Sequence, residues 1–198
     1  MQKSSYNNHY YLLMLLSGIM VFLPAYKYAS VDAKLKPEIK SYSMPQWCRW
    51  VIILQLFIVY TYASVAKFYP DWLDTSVIEL MMKGKEDYIL VGDFLQQKWL
   101  HYMLAYGGIL FDGLIIVPLL LFKPTRKYAF IGSIFFHLFN SFIFQIGIFP
   151  YLALAFSLFF FPAEKIQKLF LKKKPFYSLN EITIPNLKTP LIIVFSIY

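Results

Sequence analysis

Residues 99–122 read WLHYMLAYGGILFDGLIIVPLLLF. At about 1.5 Å per residue, a helix of this length exceeds the roughly 30 Å hydrocarbon core of a bilayer. His101 and Asp112 are its only acidic or basic side chains. The run reads as a transmembrane helix, and that reading decides how the rest of the chain is taken. Two other runs, Tyr11–Ala29 and Trp50–Phe68, are long enough to do the same. Residues 128–161 are predominantly apolar, but a single helix there would be about 51 Å long. The Gly147 and Pro150 region offers a break, so two helices are expected, about 128–146 and 150–161. A sixth run begins at Pro190 and reaches Tyr198, less than half a span. The expected fold is all-α: a polytopic integral-membrane helical bundle of about five full spans and a truncated sixth. Residues 1–198 are expected to form a single, incomplete domain.

Composition agrees. Of 198 residues, 59% are hydrophobic and 15% charged, where a soluble domain carries about 25% charged residues. Disorder, an ordinary soluble globule and a nucleic-acid arm are excluded, and no nucleic acid is expected as a partner. The net charge of +8 sits in short gaps between apolar runs. The first run is long, lacks a small-residue cleavage site and precedes further spans, so it does not read as a cleavable leader. Cys48 is the only cysteine and forms no internal disulfide.

The gaps alternate between two sides. One side holds fourteen cations, among them Lys34, Lys36, Lys40, Lys123, Arg126, Lys127 and Lys172–Lys174. The other holds five: Lys3, Lys67, Lys83, Lys85 and Lys98. The positive-inside rule places the first side in the cytoplasm. The N-terminus and the 69–98 loop are then extracytoplasmic or lumenal. The run Lys172–Lys174 is expected to meet anionic headgroups. Val77–Met82 has helical spacing, which predicts an interfacial helix in the outer loop.

Ionisable groups inside spans are costly and mark candidate sites. Lys67 closes the second span on the outer side. A lysine there can be a snorkelling anchor, or a base if burial removes its charge. His9 follows Asn7 and Asn8 at the start of the first span; an asparagine there also suits a helix cap. His137, Asn140 and Ser141 share one helix face, which serves either as interhelical glue or as a site. Tyr106 lies in the outer half of the 99–122 run, beside Gly107 and Gly108, which permit close helix approach. Asp112 is left open as paired, protonated or part of a site. Lys67, His9, Tyr106, Asn140 and Ser141 fall in one outer layer and suggest a pocket opening outward. Asp71 is the nearest carboxylate in sequence to Lys67. Pro70 is expected to turn the chain so that Asp71 faces the loop and Lys67 points inward beside His9. The three histidines are isolated, so no metal is expected. No nucleotide-binding or serine-hydrolase motif occurs.

Several stretches together are specific. They are Asn7-Asn8-His9, Ser30-Val31-Asp32, Gln55–Tyr60 leading to Val65-Ala66-Lys67, Asp71-Trp72, Gly107-Gly108 with Asp112, Phe136–Ser141, Ile146–Phe149 and Tyr151. In this order the chain resembles, over about residues 7–170, the integral-membrane HTTM domain of the vitamin K-dependent gamma-carboxylase family. It looks like a bacterial-type or truncated homologue. The resemblance implies a carboxylase of the carbon–carbon lyase type that is also an epoxidase. Reduced vitamin K or a related hydroquinone is oxidised by O2 to its epoxide, and a glutamate side chain takes up CO2. The implied partners are the lipid bilayer, the hydroquinone and a glutamate-containing protein. The family's catalytic lysine matches Lys67, and its Asn-Asn-His matches Asn7, Asn8 and His9, with the histidine implicated in carboxylation. Its His-x-x-Asn-Ser stretch matches His137, Asn140 and Ser141, and Tyr106 stands where the animal enzyme has a histidine. Ala66 stands where the family often has a second lysine. The family's unit also begins earlier, and the animal enzyme has a large lumenal region after its spans. The chain is therefore expected to be an internal fragment or a truncated paralogue. A non-catalytic quinone- or lipid-binding module is the alternative. A transporter ranks last, because only Gly147 and Pro150 suggest a broken helix.

Overall fold

The structure, a computed structural model, describes residues 8–170 and Lys172, with Asn8 and His9 described as backbone only. No strand occurs among the described residues. The helices are α1 (Asn8–Phe22), α2 (Val31–Leu35), α3 (Gln46–Val65), α4 (Pro70–Leu73), α5 (Ser76–Lys83), α6 (Gly92–Leu95) and α7 (Lys98–Leu110). A π-helical turn (Phe111–Ile115) joins α7 to α8 (Ile116–Leu121). Then follow α9 (Arg126–Phe142), α10 (Phe149–Ser157) and α11 (Ala163–Phe170).

By length and composition two of these can cross a bilayer: α3, and the continuous run Lys98–Leu121. A third is possible if Tyr10–Phe22 and Ala25–Leu35 form one span, but they meet at 61°. Pro24 lies at that bend, where a missing N–H and a fixed φ end a helix. The long 128–161 run is broken, as its length required, over residues 143–148, which include Gly147. α9 stops at Phe142, and Gln145 takes a left-handed φ of 53°. Pro150 falls in the first turn of α10, where its absent N–H costs no helical bond. α9 has 17 residues, about 26 Å of rise, and α10 has 9. Two of the expected full spans are thus present as helices shorter than a bilayer core. The run at 190–198 and the basic residues Lys173 and Lys174 lie outside the described residues.

The chain packs as two compact units, with the boundary inside α3. Among the described residues, one comprises those from 8 to 55 and from 146 to 170; the other is Leu56–Gln145. In the first unit, Leu16, Ile19, Val51, Ile52 and Phe160 are buried. Arg49 donates from Nε to the Phe159 carbonyl at 2.7 Å and from Nη2 to the Phe160 carbonyl at 3.1 Å. It thereby satisfies carbonyls left open where the helix ends. In the second unit, Ile78 and Met82 of α5 are fully buried with Leu95, Leu100 and Ala105. The spacing of Val77–Met82 does produce a helix, and it packs one apolar face on α6 and α7. Leu80 of α5 points outward.

Candidate functional site

Within the second unit, Tyr60, Ser64 and Lys67 follow one another at intervals of four and three residues. That spacing puts them on one helical face, with Lys67 in the turn just past the end of α3. Each reaches a partner on another element. The Ser64 hydroxyl donates to the Ile109 carbonyl at 2.9 Å. Ile109 lies just before the π-turn, in which the Ile116 amide bonds to the Phe111 carbonyl five residues back. Such turns displace the helical register and recur at functional sites. Gly113 makes the crossing possible: a Cβ there would lie 2.5 Å from Ser64 Oγ.

Next to this crossing, Lys67 Nζ donates to Asp112 Oδ2 and forms an ion pair with it. The side chain of Lys67 is 19% exposed and that of Asp112 only 6%, so the pair is largely withdrawn from water. The Trp72 ring centroid lies 5.7 Å from Lys67 Nζ, within cation–π range. Trp72 is itself fixed by its indole N–H, which donates to the Ala105 carbonyl at 3.2 Å. Pro70 opens α4 at a position where proline is favoured. Asp71 is exposed, and the carboxylate that Lys67 meets is Asp112. Tyr106 is partly exposed and donates to the Leu73 carbonyl at 3.0 Å. It thus helps to dock α4 on α7.

A second buried pair lies about two turns along the same face of α3. Tyr60 Oη and His137 Nε2 are 2.6 Å apart, and both residues are fully buried. Ala129, Ser133 and His137 form the buried stripe of α9. Phe111 and Phe136 stack at 3.9 Å and present their rings edgewise to His137 at 6.3 and 5.4 Å. Asn140 and Ser141 are half-buried further along α9. Outside the spans, Asp74 accepts hydrogen bonds from the Ser76 hydroxyl at 2.5 Å and the Ser76 amide at 2.9 Å. Those bonds hold its carboxyl below the usual range.

Chemically, a buried ammonium beside a carboxylate stores one mobile proton and no net charge. It can exchange that proton with a hydroxyl brought between the two groups. Among the described residues, no group of three His, Cys, Asp or Glu side chains could hold a metal ion.

Of the residues singled out by sequence, Lys67 pairs with Asp112, His137 with Tyr60, and Tyr106 with α4. Lys67 and His137 thus belong to two pairs on one stripe. Asn8 and His9 open α1, with side chains outside the described set, and Asn7 lies outside it altogether. Tyr60, Ser64 and Gly113 are additions. The signal for the first two was available, because they are polar positions in phase with Lys67 on an apolar helix. The glycine reading needs correction. A Cβ at Gly107 or Gly108 would meet nothing within 4 Å among the described residues. The close approach is made at Gly113.

A family model described as the HTTM domain matches residues 1–164. No solved structure matches the chain.

Proposed function

The chain belongs to the HTTM-domain family, and from that premise we propose that it carries out hydroquinone oxidation of the kind found in vitamin K-dependent carboxylase-related proteins, among which HTTM domains occur. In this reading it is a multi-pass membrane protein. The excess of cations on the other loops supports an extracytoplasmic or lumenal position for Lys67. The observation that carries the reading is the largely buried ion pair of Lys67 and Asp112 beside the π-turn.

When bound, a hydroquinone and O2 supply the oxidative chemistry, giving the epoxide and water. In the coupled half, a glutamate Cγ–H and CO2 give the γ-carboxylate and a proton. The residues present fit such a group. Trp72 and the stacked Phe111 and Phe136 offer flat apolar surfaces, and the ion pair handles a hydroxyl proton. Moving the ammonium proton of Lys67 onto Asp112 leaves an amine and a carboxylic acid. The amine then accepts a hydroxyl proton. The pair ends as an ammonium beside a protonated carboxyl, one positive charge that balances the hydroquinone anion. Asp112 is thus the final resting place of the proton, and Lys67 the group that collects it. An ammonium has no free lone pair, so Lys67 must hand its proton to Asp112 before it can act as a base. By resemblance, Asn7, Asn8 and His9 serve the carboxylation half, and within the second unit Tyr106, His137, Asn140 and Ser141 contribute to the quinone pocket.

The test uses the intact protein in membranes with reduced vitamin K and O2, with epoxide measured chromatographically. Lys67→Ala should abolish epoxide formation, and a small exogenous amine should restore part of it. Undiminished epoxide from Lys67→Ala would overturn the proposal. The second reading is a non-catalytic quinone- or lipid-binding module. The closed state of the Lys67–Asp112 pair favours it, because the ammonium already has a partner. That reading requires wild-type protein to bind the hydroquinone without forming epoxide.

A further inference from the structure

The segment between α5 and α7 places its two most exposed large apolar side chains next to each other: Ile89 is 99% and Leu90 93% exposed. The segment is well anchored. The Tyr88 amide donates to the Lys85 carbonyl at 3.2 Å, and the Gly92 amide to the Tyr88 carbonyl at 2.7 Å. Gln96 Nε2 donates to the Met82 carbonyl at 2.9 Å. Gly92 packs so closely that a Cβ there would lie 2.1 Å from the Glu86 carbonyl oxygen. Leu95, a few residues on, is buried against Ile78 and Met82. With both ends held, Ile89 and Leu90 are presented outward as a fixed tip. Residues 88–92, YILVG, carry no charge, while Lys83, Lys85, Glu86 and Asp87 precede them.

The surface next to the tip says what covers it. Phe94 lies edge-on to Trp99 at 5.7 Å, and both are about half exposed. Trp99 is in the first turn of the spanning run Lys98–Leu121. Tyr102, Met103 and Tyr106 continue the exposed apolar surface along α7. Tryptophan and tyrosine at a span's end mark the membrane–water interface, and an exposed apolar patch continuous with such a span is suited to lipid. We infer that this loop is a bilayer anchor. It inserts Ile89 and Leu90 into the headgroup–acyl boundary of the leaflet that Trp99 borders, with Glu86 and Asp87 left at headgroup level. The occupant of the tip is lipid. The loop adds a contact with the membrane that neither spanning helix makes.

The test places single cysteines at positions 89, 90 and 87, each labelled with the fluorophore NBD, in the full chain reconstituted into phosphatidylcholine vesicles. Cys48 is buried and stays out of reach of the label. Positions 89 and 90 are open, so the label leaves the core intact. At 89 and 90 the fluorescence should be blue-shifted, resistant to aqueous iodide, and quenched by lipids with a doxyl group at a shallow acyl position. At 87 it should be quenched by iodide. Iodide quenching at 89 and 90 equal to that at 87 would overturn the inference. So would protection from iodide without doxyl quenching, since that result would put a protein surface over the tip.

Discussion

At Gly113 the backbone of one helix passes the hydroxyl of another with no room for a methyl group. This contact sets the distance between α3 and the π-turn, and so the reach of Lys67 to Asp112. Gly113→Ala should therefore destabilise the protein by about 1–3 kcal/mol, the usual cost of overpacking. A lower thermal unfolding midpoint in lipid nanodiscs is the readout, and a midpoint equal to wild type would contradict the packing. Adding Ser64→Ala should recover only part of the loss, because Ser64 Cβ would still be 3.0 Å from the new methyl. Residue-scale reading of the sequence succeeded where cost was the signal. Lys67, His101, Asp112 and His137 stood out as ionisable groups among apolar neighbours; three of them are in side-chain pairs, and His101 bonds the Leu95 carbonyl instead. It could not name the partners, since Lys67 and Asp112 are 45 positions apart and their meeting is a product of tertiary packing. It also credited Gly107 and Gly108 with a role that belongs to Gly113, because a glycine's surroundings are not written in its own sequence.

At the scale of elements, periodicity and apolar length were legible. α3, the Lys98–Leu121 run and α5 appear where these signals put them. Interruptions were harder to read. The π-turn has no sequence signature, and the Ile109 carbonyl beside it is taken up by Ser64, 45 positions away in the chain. Pro24 bends a run that composition alone presents as continuous. The break after α9 comes early because Gln145 adopts a left-handed conformation, which disfavours residues with a Cβ. Gln145→Gly should relieve that conformation and raise stability by up to about 1 kcal/mol. Thermal unfolding checks this, and a lower midpoint would show that the Gln145 side chain supports the turn.

For the whole molecule, the distribution of charge is the main guide to sidedness. In the proposed topology, fourteen cations on one set of loops against five on the other favour residues 83 and 85 outside and 123–127 in the cytoplasm. Impermeant thiol reagents should label cysteines placed at 83 or 85 from outside intact cells. Labelling from the cytoplasm alone would reverse the orientation and remove Lys67 from the outer face. The central claim is that Lys67 is a base and not simply one half of a buried clamp, and Lys67→Arg separates the two roles. A guanidinium keeps the positive charge and bonds a carboxylate well, so the link to Asp112 survives. It does not lose its proton in a protein, so base chemistry ends. The measurement is epoxide formation by the Lys67→Arg protein in membranes, alongside its unfolding midpoint. The account predicts a near-wild-type midpoint and no epoxide, whereas epoxide at the wild-type rate would contradict it.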